Sequence, residues 1–481
     1  MNEKQLLKIV GSDRYFADPE TIAAYSQDHS FTPPRPPLAV VKPKNTEQIQ
    51  EIINVANTAN LSLIPVSSRP PRFNGGTIPA CPGVVVDLSG LDKVVRVNRR
   101  NLVAMIEPGV TFAQLREALE SEGMVPYTTL LPRSTKSVLA SALEREPITI
   151  PKDHWDSLDP IAGGQVIIGD GHLQGFGDTA QFTQKEVVDG VTNPVYPVGP
   201  SNVGWLNMLQ GSQGTLGIVP WGLMRCRIKP SLEKPFFVSS SDLSDLAPFL
   251  QRVMRPRIVE EIFIVNAFCL ATLLSEDPAE IKKLQAAFPE WVLFLNIAGL
   301  ERYPDEDLAW KEEQARTIAD QKGVVLKDVV GQLSASFLLK ALKKTATIDR
   351  KIRYKDSCAV MPFTTTLDKV PAITGAAATV AAERGYPSSD LSFYFQPEIQ
   401  GTQCQGELVF PYCKNDEVEK EKVKKLFSCA AEKLRNVGAY YSRPYGILAG
   451  ITYNDAGIAK VCRIIKKILD PNDVMHSGKL F

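Results

Sequence analysis

The first third of the chain alternates short apolar runs with one amphipathic helical pattern. The runs 38–42 and 61–66 predict strands, and between them apolar residues recur at the helical spacing from Ile49 to Ala56. A strand, helix, strand order predicts a parallel pair of strands with a ligand site at their carboxyl ends.

The same half of the chain contains further short elements. Strands and a hairpin are predicted at 84–88, 103–107, 161–177 and 218–228. Thr111 and Gln114 form a capping box that begins another helix, and Gly123 ends it.

Beyond residues 229–235 the pattern changes to longer helices that alternate with strands such as 291–297, 324–330 and 391–397. We therefore predict a first domain over 1–234, a second domain over 235–438, and a terminal segment over 439–481 that returns to the first domain. This last segment contains a helical pattern from Ile458 to Leu469, which Pro471 ends.

Composition removes several classes of function. The chain has 481 residues, and its 54 basic and 54 acidic side chains cancel, which argues against a nucleic-acid partner. No apolar run is long enough for a membrane span, and the polar first residues lack a signal core, so we expect a cytoplasmic protein. The eight cysteines and four histidines are scattered, so we predict no metal site.

Three stretches are rich in small residues and hydroxyl groups. The first loop, 67–77, follows a predicted strand and is where a phosphate is expected; the second loop is 132–142. The glycine string, 210–218, has three glycines at a spacing of three, which lets a backbone approach a bulky ligand. Taken alone, this string is equally typical of a tight turn.

Four motifs occur in one order: the first loop with its Asn-Gly-Gly-Thr ending at 74–77, Glu-Pro-Gly-Val at 107–110, the glycine string, and Leu-Asp-Pro-Asn at 469–472. This order resembles the flavoenzymes of the vanillyl-alcohol oxidase / p-cresol methylhydroxylase (PCMH) superfamily, which includes glycolate and D-lactate dehydrogenase FAD subunits. The resemblance implies an α+β protein with a two-subdomain PCMH-type FAD-binding domain and a cap domain, whose antiparallel sheet is flanked by helices.

The resemblance also implies which residues bind FAD. The first loop would hold the pyrophosphate with backbone N–H groups, the second loop would line the adenosine or isoalloxazine side, and the glycine string would lie beside the flavin. These residues are Ser67, Ser68, Arg69, Asn74, Gly75, Gly76, Thr77, Pro132, Ser134, Thr135, Ser137, Gly211, Ser212, Gly214, Thr215, Gly217 and Ile218. The first loop has no histidine, so we expect non-covalent FAD; His476 and Tyr441 stay open as tethers.

Two features depart from the superfamily pattern. Pro70 and Pro71 replace glycines in the first loop, and each lacks an N–H donor. In addition, the cap lacks the histidines that bind a metal in the D-2-hydroxy-acid branch.

The candidate catalytic residues are Arg443, Tyr441, Tyr445, His154 and Glu407. An arginine among aromatic hydroxyls suits an anionic substrate, while His154 and Glu407 are candidate proton acceptors. Alternatively, Arg443 pairs with a core carboxylate, the tyrosines pack between domains, and His154 caps a surface hairpin.

We therefore predict an FAD-dependent dehydrogenase that oxidises a small hydroxylated anion, such as a 2-hydroxy acid. No cysteine cluster is present to take the electrons, so the reduced flavin must pass them to O2, a quinone or a separate protein. Of these we favour a partner protein, either an iron–sulfur subunit or an electron-transferring flavoprotein, and an oligomer is possible. The alternatives are a phenol- or alcohol-oxidising enzyme of the aromatic branch and a non-catalytic flavin-carrying or scaffold subunit.

Overall fold

The apolar runs of the first third form a small, mostly parallel sheet. The computed structural model describes residues 3–152, 160–179, 182–190, 204–299, 301–398 and 401–480. The sheet has the order β1-β2-β4-β3, and its strands are β1 Tyr15–Phe16, β2 Ala39–Val41, β3 Ser62–Val66 and β4 Gly83–Asp87. The expected parallel pair is corrected in one respect: β2 and β3 are parallel, but β4 lies between them.

The helices of this sheet are α1 Glu3–Val10, α2 Pro19–Ser26 and α3 Thr46–Ala59. Asn45 begins α3 by accepting a hydrogen bond from the Gln48 N–H. Ile52 of α3 packs with Leu63 and Val86 of the sheet in one fully buried cluster. The apolar residues that recur along α3 therefore face the core, as predicted.

A second, antiparallel sheet has the order β5-β6-β10-β8-β9, with β7 paired to β10. Its strands are β5 Val94–Asn98, β6 Val103–Ile106, β7 Met124–Pro126, β8 Ile161–Ile168, β9 Leu173–Gly177 and β10 Gly217–Ile228. Its helices are α4 Phe112–Glu120, α5 Val138–Leu143, α6 Gln184–Asp189 and α7 Trp205–Leu209. The Thr111–Gln114 capping box and the hairpin of β8 and β9 are confirmed.

The cap is built on a third sheet, whose order is β11-β13-β12-β17-β18-β16 and whose neighbouring strands are all antiparallel. These strands are β11 Leu232–Ser240, β12 Val259–Asn266, β13 Trp291–Gly299, β16 Ser357–Thr366, β17 Ser392–Glu398 and β18 Gln403–Tyr412; a separate hairpin joins β14 Val329–Val330 to β15 Leu333–Ser334. The predicted strand at 324–330 is wrong except for its last two residues.

Helices cover the cap sheet: α8 Leu243–Met254, α9 Ala267–Leu274, α10 Pro278–Ala287, α11 Pro304–Gln321, α12 Ala335–Leu342, α13 Val370–Glu383 and α14 Glu417–Asn436. Consecutive side chains of a strand point to opposite faces, so Phe236 joins one buried cluster and Phe237 the other. The sheet is therefore buried on both faces, and the predicted cap architecture is confirmed.

The end of the chain returns to the first sheet. After α15 Ile447–Thr452 and α16 Ala456–Leu469, the Leu63 N–H donates to the Val474 carbonyl at 2.7 Å, and the His476 N–H donates to the Leu63 carbonyl at 2.9 Å. The domain boundaries at 234 and 438 stay predictions. Within the described ranges, no helix is long and apolar enough to cross a bilayer.

Candidate functional site

A large cavity lies where the first two sheets, the cap and the returning segment meet. It holds about 1430 Å³ of empty space, counted with its open mouth. Residues of the first loop, the second loop, the glycine string, the cap strands β16 and β18, and the 443–445 segment line it. Side chains that are far apart in sequence therefore meet in one space.

Most of the predicted first-loop residues face this cavity: Ser67, Ser68, Asn74, Gly76 and Thr77. The Thr77 hydroxyl is buried without a hydrogen-bond partner among the described residues. A buried polar group without a partner costs free energy, so this hydroxyl indicates a ligand with polar atoms on this side of the cavity.

Two predicted first-loop residues have other partners. The Arg69 guanidinium pairs with Asp92 at 2.7 Å and donates to the Ser89 carbonyl at 3.1 Å. The Gly75 N–H donates to the Asp28 carboxylate at 2.6 Å, so this amide is already occupied. These contacts give both residues a role in holding the loop.

The glycine string forms one wall of the cavity through Gly211, Ser212, Gly214, Gly217 and Ile218. At Gly214 the backbone has φ +75°, and a Cβ there would lie 2.4 Å from Cγ of Pro65. Only glycine fits both the conformation and the close approach. Thr215 is buried outside the cavity lining, and its hydroxyl donates to the Ser212 carbonyl at 2.7 Å.

The four residues predicted from the second loop lie outside the lining of the main cavity, although other residues of this loop line it. The Ser137 hydroxyl donates to the Pro108 carbonyl at 2.5 Å and accepts from the Ala140 N–H to begin α5. The Ser134 N–H donates to the Ala346 carbonyl at 2.8 Å. Thr135 lies outside both cavity linings and its hydroxyl is buried without a partner among the described residues, whereas Pro132 lines a side pocket.

His476 lies between two segments that build the wall of the main cavity, a role that the sequence did not indicate. Its ring is 1% exposed, with Nδ1 3.0 Å from the Gln213 carbonyl and Nε2 3.5 Å from the Ile78 carbonyl. Burial, assisted by nearby Lys479, lowers the pKa of this ring to about 4, so it is neutral at pH 7. The ring connects the glycine string to the end of the first loop.

The inner end of the cavity continues into a side pocket of about 460 Å³. Both spaces are lined by the same charged residues, namely Arg133, Lys136, Glu146, Lys351, Glu407 and Arg443. Asp349, Arg350 and Tyr394 line the side pocket alone, and Glu144 lines the main cavity alone. When the two linings are taken together, the cationic side chains at this end of the cavity outnumber the carboxylates.

Glu407 on β18 is held by cap cations. It pairs with Arg350, and Nζ of Lys351 lies 3.8 Å from it. Burial by itself raises the pKa of this carboxyl, but Lys351, Arg350 and Arg443 outweigh burial and hold the pKa below its usual value. Glu407 is therefore ionised at neutral pH and is a weak proton acceptor.

The other cations of this end also have partners. Arg133 lies 3.7 Å from the buried carboxylate of Asp349. Lys136 pairs with Glu144 at 2.6 Å and with Glu146 at 3.2 Å. Each of these charges is compensated within the protein.

Arg443 differs from its neighbours. Its side chain is 5% exposed and lines both spaces, and it forms no ion pair within 4 Å among the described residues, whereas Arg133 pairs with Asp349. Its Nε, like that of Arg133, is buried without a hydrogen-bond partner among these residues. Tyr445 lines the main cavity beside it, and burial raises the pKa of this phenol well above its usual value, so it is a neutral donor. The structure thus brings Arg443, Tyr445 and Glu407 together, as predicted.

Tyr441 is not brought to this site. Its ring is 2% exposed within the cap core, and its hydroxyl donates to the Ala431 carbonyl. The alternative expectation was that the tyrosines pack between domains, and Tyr441 instead packs inside the cap core. His154 lies outside the described residues.

The sequence did not single out Lys351, Lys136 or Glu146. Lys351 lies in a charged run, 349–353, which is equally typical of a solvated turn. Only the pairing of this run with β18 buries it beside the cavity. The high density of charged residues in this run was the one feature of the sequence that could have indicated Lys351.

Comparisons with known proteins identify the class. Residues 37–142 match the family model described as the FAD binding domain. The D-2-hydroxyglutarate dehydrogenase of Stutzerimonas stutzeri is 23% identical over 99% of this chain and 98% of its own length, and glycolate oxidase subunit GlcD of Bacillus subtilis is 22% identical over 100% and 96%. The expected FAD-dependent oxidoreductase is thereby confirmed.

Solved structures show the same fold. A substrate-bound p-cresol methylhydroxylase superposes with a TM-score of 0.77 at 14% identity, covering 99% of this chain and 95% of that chain. The 4-ethylphenol oxidase of Gulosibacter chungangensis gives 0.79 at 17% identity, covering 99% and 96%. The predicted resemblance to PCMH-type flavoproteins is confirmed.

The residues present fit FAD. The first loop and the glycine string offer small side chains, backbone groups and the unpartnered Thr77 hydroxyl, which suit a pyrophosphate and a planar ring system. When bound, FAD supplies the acceptor for a hydride.

Proposed function

We propose that the protein oxidises a small hydroxylated anion, such as a 2-hydroxy acid, at the inner end of the main cavity. The relatives named for D-2-hydroxyglutarate, glycolate and D-lactate support this substrate class, since all three compounds are 2-hydroxy acids. The excess of buried cations at this end supports an anion in particular.

The observation that carries the proposal is that Arg443 is a buried guanidinium with no ion pair among the described residues and with an unpartnered Nε. A buried guanidinium without a full set of partners is costly, and a carboxylate accepts two parallel hydrogen bonds from such a group. In our proposal Arg443 binds the substrate carboxylate.

Its neighbours complete the binding of the anion. Nζ of Lys351, already close to Glu407, adds positive charge at the junction of the two spaces. The neutral phenol of Tyr445 is a hydrogen-bond donor in the same lining. Glu407 positions Arg350 and Lys351, and its role as proton acceptor, like that of His154, stays a prediction.

The electron pair removed from the substrate must then leave the protein. The relative GlcD is named as a subunit, which is consistent with the predicted partner protein, an iron–sulfur subunit or an electron-transferring flavoprotein. Both the partner and the non-covalent attachment of FAD stay predictions.

Replacing Arg443 with Met tests the proposal. Under anaerobic conditions glycolate, D-lactate or D-2-hydroxyglutarate should bleach the flavin absorbance of the wild-type protein, and Arg443→Met should slow bleaching by about 100-fold while FAD stays bound. Arg443→Lys should recover part of the rate.

The matched control is Arg435→Met, because Arg435 is exposed on α14. It should bleach at the wild-type rate. Unchanged bleaching in Arg443→Met would remove this residue from the site. Bleaching by 4-cresol alone would favour the phenol-oxidising alternative.

A further inference from the structure

A second cavity lies directly behind the wall of the main one. This groove holds about 880 Å³ of empty space, counted with its opening. Gly211 and Ser212 line both the groove and the main cavity, so one stretch of backbone separates the two spaces.

A second segment completes this wall. Along 442–445 the residues alternate, with Ser442 and Pro444 lining the groove and Arg443 and Tyr445 lining the main cavity. The Gln213 side chain joins the two segments by donating to the Pro444 carbonyl at 2.9 Å. A molecule in the groove is thus one residue layer away from the cavity that fits FAD.

The groove has one buried donor and one buried acceptor without partners among the described residues: Nε of Arg145 and Oε1 of Gln210. Gln210 is only 4% exposed, and its amide nitrogen donates to the Ala142 carbonyl at 2.9 Å. Nη2 of Arg145 donates to the Asn207 carbonyl at 3.2 Å. Both side chains are held in place, and one polar atom of each lacks a partner among the described residues.

The rest of the lining suits an aromatic ring. Tyr440 and Tyr453 lie in the lining with Met208, Leu216 and Ile465. Aromatic and aliphatic side chains with a few fixed polar groups are the usual composition of a small-molecule site.

An exposed apolar stripe adjoins the groove on α16. Its members are Ile458, Val461, Ile464 and Ile468, which are 47%, 55%, 50% and 67% exposed, and Ile458 also lines the groove. A contiguous apolar surface of this kind commonly marks a binding site. It can hold an apolar chain attached to a ring in the groove.

We propose that the groove binds a quinone, with its ring between Arg145 and Gln210 and its apolar tail along the α16 stripe. Nε–H of Arg145 donates to a quinone carbonyl, and after reduction a hydroxyl of the quinol donates to Oε1 of Gln210. Two electrons and two protons convert the quinone to the quinol. The electron pair is the one removed from the substrate, so this inference rests on the proposed function, and the protons come from that oxidation or from solvent.

Direct binding tests the groove independently of turnover. The probe is decylubiquinone, a benzoquinone with a ten-carbon tail, added to the FAD-loaded protein and measured by ultrafiltration. We expect saturable binding at one site, and about tenfold weaker binding in both Cys462→Phe, which narrows the groove, and Arg145→Met. Cys462 lines the groove, so Cys462→Ala is the matched control and should bind as the wild type does.

A separate experiment tests whether the apolar tail of the quinone binds along the α16 stripe. The same quinone ring without a tail should bind about tenfold more weakly than decylubiquinone, and Ile464→Asp should abolish that difference. Equal binding of both probes by the wild-type protein would overturn the assignment of the stripe.

Substrate bleaching distinguishes the inference from the proposed function. All four variants should still bleach with a 2-hydroxy acid, while reoxidation by decylubiquinone should slow in Cys462→Phe and Arg145→Met. Absence of bleaching with intact quinone binding would contradict the proposed function alone. Absence of saturable binding, or equal binding by wild type and Cys462→Phe, would overturn the quinone site.

Discussion

The two ends of the main cavity are built by different means. At the FAD end, backbone and small side chains from contiguous stretches form the wall, as at Gly76, Thr77 and Gly214. At the inner end, long charged side chains such as Lys136, Lys351 and Arg443 converge from three separate regions. In our proposal, the cofactor is held by local backbone shape, whereas the substrate meets side chains that only the tertiary structure brings together.

The largest effect should come from the FAD end. Gly214→Val should yield protein without bound flavin, because a Cβ would lie 2.4 Å from Cγ of Pro65 and the residue would have to keep a φ of +75°. The flavin absorbance of the purified protein, measured with its circular dichroism, checks this.

The matched control for this substitution is Gly375→Val on α13, where an added Cβ meets nothing within 4 Å. This variant should keep its flavin. A yellow, folded Gly214→Val protein would show that the string is merely a turn, and the contrast between the ends would fail.

The next effect concerns the inner end. Glu407→Gln should lower the free energy of unfolding by about 3 to 5 kcal/mol, because it leaves the buried cation Arg350 without its counter-charge. Chemical denaturation measures the loss.

Glu432→Gln is its control, since Glu432 is exposed on α14. It should change the free energy of unfolding by less than about 0.5 kcal/mol. If the two variants were equally stable, the inner charges would be solvated and not compensated within a buried cluster.

A smaller effect should appear as a dependence of the free energy of unfolding on pH. Burial raises the pKa of Asp349, but Lys351, Arg133 and Arg350 outweigh it and lower the pKa from 3.8 to about 2. The folded state therefore binds this proton less readily than the unfolded chain. The stabilisation, about 2 kcal/mol, is complete above pH 4 and disappears as the pH falls toward 2.

Acid titration of the denaturation midpoint checks this sign. Between pH 4 and pH 2 the wild-type protein should lose about 2 kcal/mol more than Asp349→Asn, which has no carboxyl to protonate. Parallel curves would show that Asp349 is not held by these cations.

Local patterns predicted well wherever the relevant contacts are close in sequence. The capping box at Thr111 and the hairpin of β8 and β9 both depend on neighbours a few residues away. The strand at 324–330 failed for a physical reason. Val325 is 65% exposed and has no sheet to bury it, so β-propensity alone did not produce a strand.

The residues of the candidate site also divide into those that local sequence patterns indicated and those that only long-range packing placed. The first loop and the glycine string were identified from contiguous motifs, and Arg443 and Tyr445 from a cluster of residue types. The burial of Tyr441 in the cap core and the separate partners of Arg69 and Gly75 depend on long-range packing. No spacing along the chain encodes them.

The order of the motifs along the chain was enough to indicate the FAD-binding class, because glycine conformations, caps and small-residue loops are local properties. The tertiary structure alone decided which charges meet. Glu407 and Lys351 come together because β18 pairs with β16 and the 349–353 run packs beside them. Coulomb interactions depend on distance in space and on burial, and neither can be read from separation along the chain.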